Sequence, residues 1–266
     1  MPRAGVLGWP VAHSRSPAMH EAAYRALGLD GWTYQRLPVP PELFSETVRA
    51  LPAAGFAGVN VTIPHKEAAL ELADAATHSA REIGAANSLT FGPQGAIRAD
   101  NTDAPGFLAA LPWSPEGHSA LVLGAGGSAR AVIWALLQAG AREVRVWNRT
   151  AQRAEQVCSE LGGGVPVVTA EPAALLVNCT AAGLADPAAT FADLPISPPD
   201  LGAYRCVVDL VYRGPAGQTD LLAAAAAAGA QTVDGLEILV RQGALSLSAW
   251  TGREAPLEVM RAAARA

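Results

Sequence analysis

Ala120-Leu121-Val122-Leu123-Gly124-Ala125-Gly126-Gly127-Ser128-Ala129-Arg130-Ala131 is the stretch of this 266-residue chain from which the fold is read. A buried apolar strand ends in G-x-G-x-x-A, and an apolar helix follows as far as Gly140. The glycines permit a tight turn and let backbone amides approach a pyrophosphate at the helix N-terminus. A glycine motif alone is a weak signal, but here the strand, turn and helix it requires all stand in order. The next strand, Glu143-Val144-Arg145-Val146-Trp147, runs into Asn148-Arg149-Thr150. A site for NAD places Asp or Glu there to bind the ribose hydroxyls. This chain offers Arg149, with Arg153 one helical turn further on, and an arginine fork suits the 2′-phosphate of NADP. The plainer reading is a helix capped by Thr150 with two exposed arginines.

Working outward, Leu175-Leu176-Val177-Asn178-Cys179-Thr180-Ala181 is a further apolar strand with a polar end, and Val207-Val208-Asp209-Leu210-Val211-Tyr212 and Gln231-Thr232-Val233-Asp234-Gly235 repeat the pattern. Open α/β sheets bind ligands at that carboxyl edge. Asn178 and Asp209 are read either as strand-end caps or as part of a cofactor cleft. Toward the N-terminus, strands are expected over residues 4–7, 32–39, 58–63 and 96–100, and helices over 17–27, 42–51 and 64–73. Trp113-Ser114-Pro115-Glu116-Gly117 is a turn-rich linker, where the first crossing between domains is expected. Strand and helix alternate on both sides of it, which predicts two α/β domains with largely parallel sheets. The fold class is therefore α/β, two-domain, with an N-terminal α/β substrate domain plus a Rossmann-type doubly wound parallel sheet. Residues 1–102, joined by C-terminal helices over 237–266, form the first domain; residues 103–236 form the second.

Asn60-Val61-Thr62-Ile63-Pro64-His65-Lys66-Glu67 is the chemically unusual stretch of the first domain. Of 19 lysines and arginines, 18 are arginine, and Lys66 is the only lysine. Arginine stays charged under ordinary conditions, whereas a desolvated lysine can move a proton. Pro64 reads as the first residue of a helix, so Lys66 falls in its first turn, where the macrodipole disfavours a cation and favours release of the proton. The bland alternative is a surface lysine in an arginine-rich chain.

Other polar residues carry paired readings. Ser16 before Pro17 is a good N-cap. The cap leaves Ser14 unexplained, and two hydroxyls facing a helix N-terminus also make a small anion site. Asn87 either satisfies a turn or presents an amide to a ligand. Asp103 reads locally as an N-cap, and Gln242 as a solvent-facing helix residue.

Composition excludes several classes. Half the residues are hydrophobic, 16% are charged and the net charge is −5, so a core is easily built and no basic run holds a phosphate backbone. No nucleic-acid partner is expected. The N-terminus has no signal-peptide shape and no window reaches a membrane span, so a soluble cytoplasmic protein is expected. Cys158, Cys179 and Cys206 are odd in number, widely spaced and without CxxC, and no metal site is expected.

Taken together, the Asn60–Lys66 stretch, Asn101-Thr102-Asp103, the glycine loop, Asn148-Arg149-Thr150 and the ending from Gln242 to Trp250-Thr251-Gly252 occur in one order that closely resembles the shikimate dehydrogenase family. The resemblance spans nearly the whole chain. It implies reversible NADP-dependent oxidation of the shikimate C3 hydroxyl to 3-dehydroshikimate, in aromatic amino-acid biosynthesis, by a monomer or homodimer. By the same resemblance Lys66 and Asp103 form the catalytic pair, and Ser14 and Ser16 hold the substrate carboxylate with Tyr212 nearby. Asn60, Thr62, Asn87 and Gln242 contact the ring hydroxyls. Gly124, Ala125, Gly126, Gly127, Ser128, Ala129 and Arg130 carry the pyrophosphate, while Asn148, Arg149, Thr150 and Arg153 serve the adenosine 2′-phosphate. Thr180, Ala181, Leu210 and Gly235 line the nicotinamide side.

The chain departs from the family pattern at three places. Asp100 stands where glycine is usual, the segment after Tyr212 (residues 213–219) is about two residues longer, and Gly235-Leu236-Glu237 replaces a Gly-Met-Leu run. Two alternatives stay open: a quinate/shikimate dehydrogenase using NAD, and a non-catalytic module that senses shikimate or quinate.

Overall fold

Period-two burial builds the first sheet. In β1 (Arg3–Gly8), Ala4 and Val6 belong to one apolar cluster and Leu7 to another, so the strand is covered on both faces. The structure, a computed structural model, describes residues 1–213 and 218–266; the expected long segment after Tyr212 falls partly outside the described residues. After β1 come α1 (Ser16–Ala26), β2 (Thr33–Pro38), α2 (Phe44–Ala50), β3 (Phe56–Val61) and α3 (Lys66–Leu72). They are followed by β4 (Ala75–Ala76), α4 (His78–Ile83), β5 (Ser88–Phe91), β6 (Ile97–Asp100) and α5 (Asp103–Ala110).

The strand order is β2-β1-β3-β5-β6-β4. Contrary to the expectation of a largely parallel sheet, β5 runs antiparallel to both β3 and β6. The reason is local: the few residues between Phe91 and Ile97, closed by the Gly92 amide donating to the Ala96 carbonyl at 2.8 Å, can return the chain only as a hairpin. The helix expected from Pro64 begins two residues later, because the His65 amide donates to the Thr62 carbonyl at 3.0 Å and closes a turn over Ile63 and Pro64.

The second sheet contains β7 (Ser119–Leu123), β8 (Glu143–Trp147), β9 (Val165–Val167), β10 (Leu175–Asn178), β11 (Cys206–Asp209) and β12 (Gln231–Val233). Its helices are α6 (Gly127–Gln138), α7 (Ala151–Glu160) and α8 (Asp220–Ala227). The order is β12-β11-β10-β7-β8-β9, every pair parallel. This is the doubly wound Rossmann arrangement, with its switch point between β7 and β10. Two helices close the chain, α9 (Gly235–Thr251) and α10 (Leu257–Ala264).

Two compact units result, Met1–Gly106 with Leu239–Ala264 and Ala266, and Phe107–Ile238 with Arg265. The crossing falls at Gly106, not at residues 113–117, which form the turn leading into β7 through Gly117, whose amide donates to the Gly140 carbonyl at 2.9 Å. Asp103 and the start of α5 therefore belong to the unit that holds Lys66. No helix of the described residues is long and apolar enough to cross a membrane.

Close packing in the first unit depends on one glycine and one unusual histidine. A Cβ on Gly58 would stand 2.2 Å from Trp250 Nε1, which donates to the Leu89 carbonyl at 3.1 Å. His20 is fully buried, stacked on Tyr34 at 4.2 Å between ring centroids, and neither ring nitrogen has a partner among the described residues. Burial alone holds its imidazole down to about 3 from 6.5. The folded chain thus keeps His20 neutral while the unfolded chain protonates it below 6.5. Stability is accordingly intact at neutral pH and falls as pH drops from about 6.5 toward 3.

Buried Asp209, pushed up to about 6, has the opposite slope, so the diagnostic quantity is a difference between variants. His20→Phe is expected to lose less stability than wild type between pH 7 and 4.5, by about 2–3 kcal/mol in urea melts. Parallel pH curves for the two proteins would rule this out.

Candidate active site

Asn101 takes over the capping role that Asp103 could have filled. Its Oδ1 accepts from the amides of Asp103 and Ala104 at 3.1 and 3.2 Å, which opens α5 and leaves the Asp103 carboxylate for tertiary contacts. Lys66 Nζ donates to Asp103 Oδ2 at 2.6 Å, and Asn87 Nδ2 donates to Asp103 Oδ1 at 2.8 Å. The lysine and aspartate side chains are 10% and 16% exposed, so this is a nearly dry ion pair. Next to Lys66, His65, its imidazole pushed below its usual value by burial, stacks on Phe44 and donates from Nε2 to the Val39 carbonyl at 2.7 Å, pinning the start of α3. With a carboxylate so close, the dipole of the short α3 is the weaker of the two fields on the ammonium.

Asn87 is the hub. Its Nδ2 also faces Thr102 Oγ1 and Gln242 Oε1 at 3.0 and 3.1 Å, while its Oδ1 accepts from the Thr102 amide at 2.7 Å. Gln242 is buried, not solvent-facing, because α9 lays Val240, Ala244 and Leu247 into the core; its Nε2 donates to the Leu239 carbonyl. Asn60 accepts from Tyr34 Oη at 2.8 Å and donates to Ser246 Oγ at 2.8 Å. Thr62 stands half-buried after β3, its amide donating to the Leu7 carbonyl at 2.9 Å.

Thr102, Ser246 and Tyr34 are members of this network that sequence reading did not single out. Ser246 carried one usable signal, its position one helical turn beyond Gln242. Asp100, the residue in place of glycine, accepts from Thr77 Oγ1 and the Asn101 amide, each at 2.8 Å, and so supports the turn before α5.

Ser14 and Ser16 are both buried at the start of α1. The expected cap is reversed: Ser14 Oγ accepts the Ser16 amide at 3.3 Å, and Ser16 is the first helical residue, its hydroxyl meeting no partner among the described residues.

In the second unit, Gly124 holds φ +114°, and its amide donates to the Trp147 carbonyl at 2.7 Å. A Cβ there would lie 3.2 Å from the Cys179 backbone, so the turn needs glycine. A Cβ on Gly126 would meet nothing within 4 Å, and Gly126 makes no side-chain cap for α6. The backbone at Gly126 therefore borders open space at the N-terminus of a twelve-residue helix, where the dipole favours an anion. Ala125 is half-exposed at the tip of the turn, and Ala129 is buried where small size permits close helix–strand packing. Arg130 pairs with Glu160 at 2.6 Å, which ties α6 to α7; the Gln156 hydrogen bond, with that of Arg130 second, holds the Glu160 carboxyl low.

Arg149 and Arg153 are exposed and in no ion pair among the described residues. Thr150 precedes α7 without a side-chain capping bond, and Asn148 Nδ2 donates to the Thr150 carbonyl at 2.9 Å. These residues fit NADP: an open glycine turn for the pyrophosphate, two unneutralised guanidinium groups and no carboxylate after β8.

Asn178 Nδ2 donates to Asp209 Oδ1 at 2.9 Å, and Thr219 Oγ1 to Asp209 Oδ2 at 2.6 Å. Thr180 Oγ1 donates to Asn178 Oδ1 at 2.7 Å, ahead of exposed Ala181, and the Leu210 amide donates to the Asn178 carbonyl at 3.0 Å. A Cβ on Gly235 would stand 2.3 Å from the Leu210 carbonyl oxygen, so these two positions touch. Tyr212 is half-buried after β11.

Fold and site together are those of a dinucleotide-binding oxidoreductase. Three family models match the chain: the shikimate dehydrogenase substrate binding domain over residues 6–89, shikimate / quinate 5-dehydrogenase over 111–178, and the shikimate 5'-dehydrogenase C-terminal domain over 235–265. A curated relative from Methylobacterium radiotolerans, shikimate dehydrogenase (NADP(+)), is 50% identical, with 94% of this chain and 92% of the relative covered. Shikimate 5-dehydrogenase from Thermus thermophilus, solved with NADP(H) and shikimate, is 42% identical with a TM-score of 0.88, covering 100% of this chain and 99% of that one. A ligand-free 5-ketofructose reductase from a Gluconobacter strain is 33% identical with a TM-score of 0.84, covering 98% and 97%. The chain belongs to the shikimate dehydrogenase family.

Proposed function

We propose that this chain is an NADP-dependent shikimate dehydrogenase, acting reversibly on the C3 hydroxyl of shikimate in aromatic amino-acid biosynthesis. We place it in the cytoplasm as a monomer or homodimer. The observation that carries the reading is the buried Lys66–Asp103 pair at 2.6 Å, fastened through Asn87 to Thr102 and Gln242. NADP, when bound, supplies the acceptor for hydride. The residues of this chain do the rest. A secondary alcohol gives up hydride only as its hydroxyl proton leaves, and the Lys66–Asp103 pair takes that proton in oxidation and returns it in reduction.

Because both Asp103 oxygens are already bonded, the carboxylate holds the lysine amine in one place. Ser14 and Ser16 hold the carboxylate of the ring, and Thr62, Asn87 and Gln242 present donors and acceptors to its hydroxyls. Asn60, held between Tyr34 and Ser246, stiffens the same wall. Arg149 and Arg153 hold the 2′-phosphate.

The likeness to a 5-ketofructose reductase makes a neutral ketose the natural counter-substrate. Initial rates of NADPH appearance with shikimate and NADP are expected to exceed those with quinate, with NAD, and of NADPH consumption with 5-ketofructose. Faster turnover of quinate with NAD would favour the quinate/shikimate alternative. Binding of shikimate without turnover would make the chain a sensing module.

A further inference from the structure

Beside the two serines stands a cation that no carboxylate neutralises among the described residues. Arg36 pairs with Val6 across β2 and β1, and lies on the same strand face as Tyr34, two residues earlier. Tyr34 stacks on His20, inside α1, so Arg36 comes level with the N-terminal end of that helix. There its Nε and Nη2 both donate to the Ser14 carbonyl, at 3.1 and 2.7 Å. A neutral carbonyl leaves the guanidinium charge uncompensated, and the first turn of α1 contains no acidic residue. The neighbouring Arg15 is used differently: its Nε and Nη2 donate to the carbonyls of Ala264 and Ala266, at 3.1 and 2.9 Å. Of the two arginines touching this loop, only Arg36 is held on the serine side.

We infer that Arg36 is a positioning and specificity residue for an anionic substrate: it fixes the Ser14 carbonyl, so that the Ser14 and Ser16 hydroxyls are presented together, and it adds the positive charge that two neutral hydroxyls lack. The inference rests on the shikimate reading above and deepens it. Two hydroxyls alone distinguish a carboxylate poorly from an ester or a carbinol, since all three accept hydrogen bonds. A guanidinium nearby favours the charged group. Arg36 is itself exposed, so the preference is modest and sensitive to salt.

The test compares shikimate with its neutral methyl ester in wild type, Arg36→Gln and Arg36→Lys. For shikimate at low salt, Arg36→Gln is expected to raise KM about fivefold with kcat within about twofold of wild type, and Arg36→Lys to restore most of the loss. The difference should shrink in about 0.5 M salt, and the KM for the ester should rise by a clearly smaller factor, since the ester loses the positioning of the hydroxyls and not the charge. A parallel rise in KM for both compounds would reduce Arg36 to a fastener of the loop and overturn the inference, as would unchanged KM for shikimate. Failure of folded wild type to oxidise shikimate at all would instead remove the functional reading, and this inference with it.

Discussion

Lys66→Ala is expected to lower kcat for shikimate oxidation by about 100- to 10,000-fold while shikimate still binds, because the variant loses proton transfer and keeps the ring contacts. Lys66 Nζ lies 2.6 Å from Asp103 Oδ2, and the truncation leaves that carboxylate with only its Asn87 bond. Loss of the partner also costs stability, so the comparison needs a second variant and a melting curve. Asp103→Asn keeps the shape, retains an acceptor for Asn87 and removes the charge.

If proton transfer belongs to the pair, both variants fall by similar factors, and their combination falls little further, since groups acting as a unit are not additive. Each should also shift the pH profile of kcat. Wild-type rates in a folded Lys66→Ala protein would end the assignment. A loss confined to KM would make Lys66 a binding residue.

Changing Arg149 and Arg153 together to Ala is expected to reduce kcat/KM with NADP by about 100-fold and to leave the lower rate with NAD nearly unchanged. Each charge-assisted bond to a phosphate is worth about 1.5–3 kcal/mol, and two on one phosphate add incompletely. Both side chains are exposed and outside any ion pair among the described residues, so their loss disturbs little else. The readout is the ratio of the two cofactors' kcat/KM values. Equal losses with NADP and NAD would show that the pair supports the α7 turn and does not read the 2′-phosphate. Arg130 serves as the internal contrast: engaged with Glu160, its removal should act on stability before cofactor choice.

Residues whose chemistry is local were legible in the chain. Gly124 announced its turn because a positive φ and a Cβ-free approach to another strand admit only glycine. Lys66 stood out by being the sole lysine. Thr219, a residue type suited to an N-cap, opens α8, its hydroxyl accepting the Leu222 amide at 3.3 Å. Residues with two local readings were not decided at that level. Asp103 and Ser16 are both good caps on paper; Asn101 and the loop before α1 fill or displace those roles, and only their positions in space say so. Gln242 sits on a helix whose outer and inner faces differ by rotation alone, and packing of Val240, Ala244 and Leu247 turned it inward.

The sequence by itself determined the α/β class, the glycine turn, the absence of a carboxylate after β8 and the identity of the one lysine, because backbone dihedrals, side-chain period and residue chemistry are properties of short stretches. Tertiary structure alone decided the β12-β11-β10-β7-β8-β9 order and the bonds joining Lys66, Asp103, Asn87 and Gln242. Those bonds link residues 37, 16 and 155 positions apart. At such separations nothing in the local chain sets a distance; burying two faces of one sheet at once does.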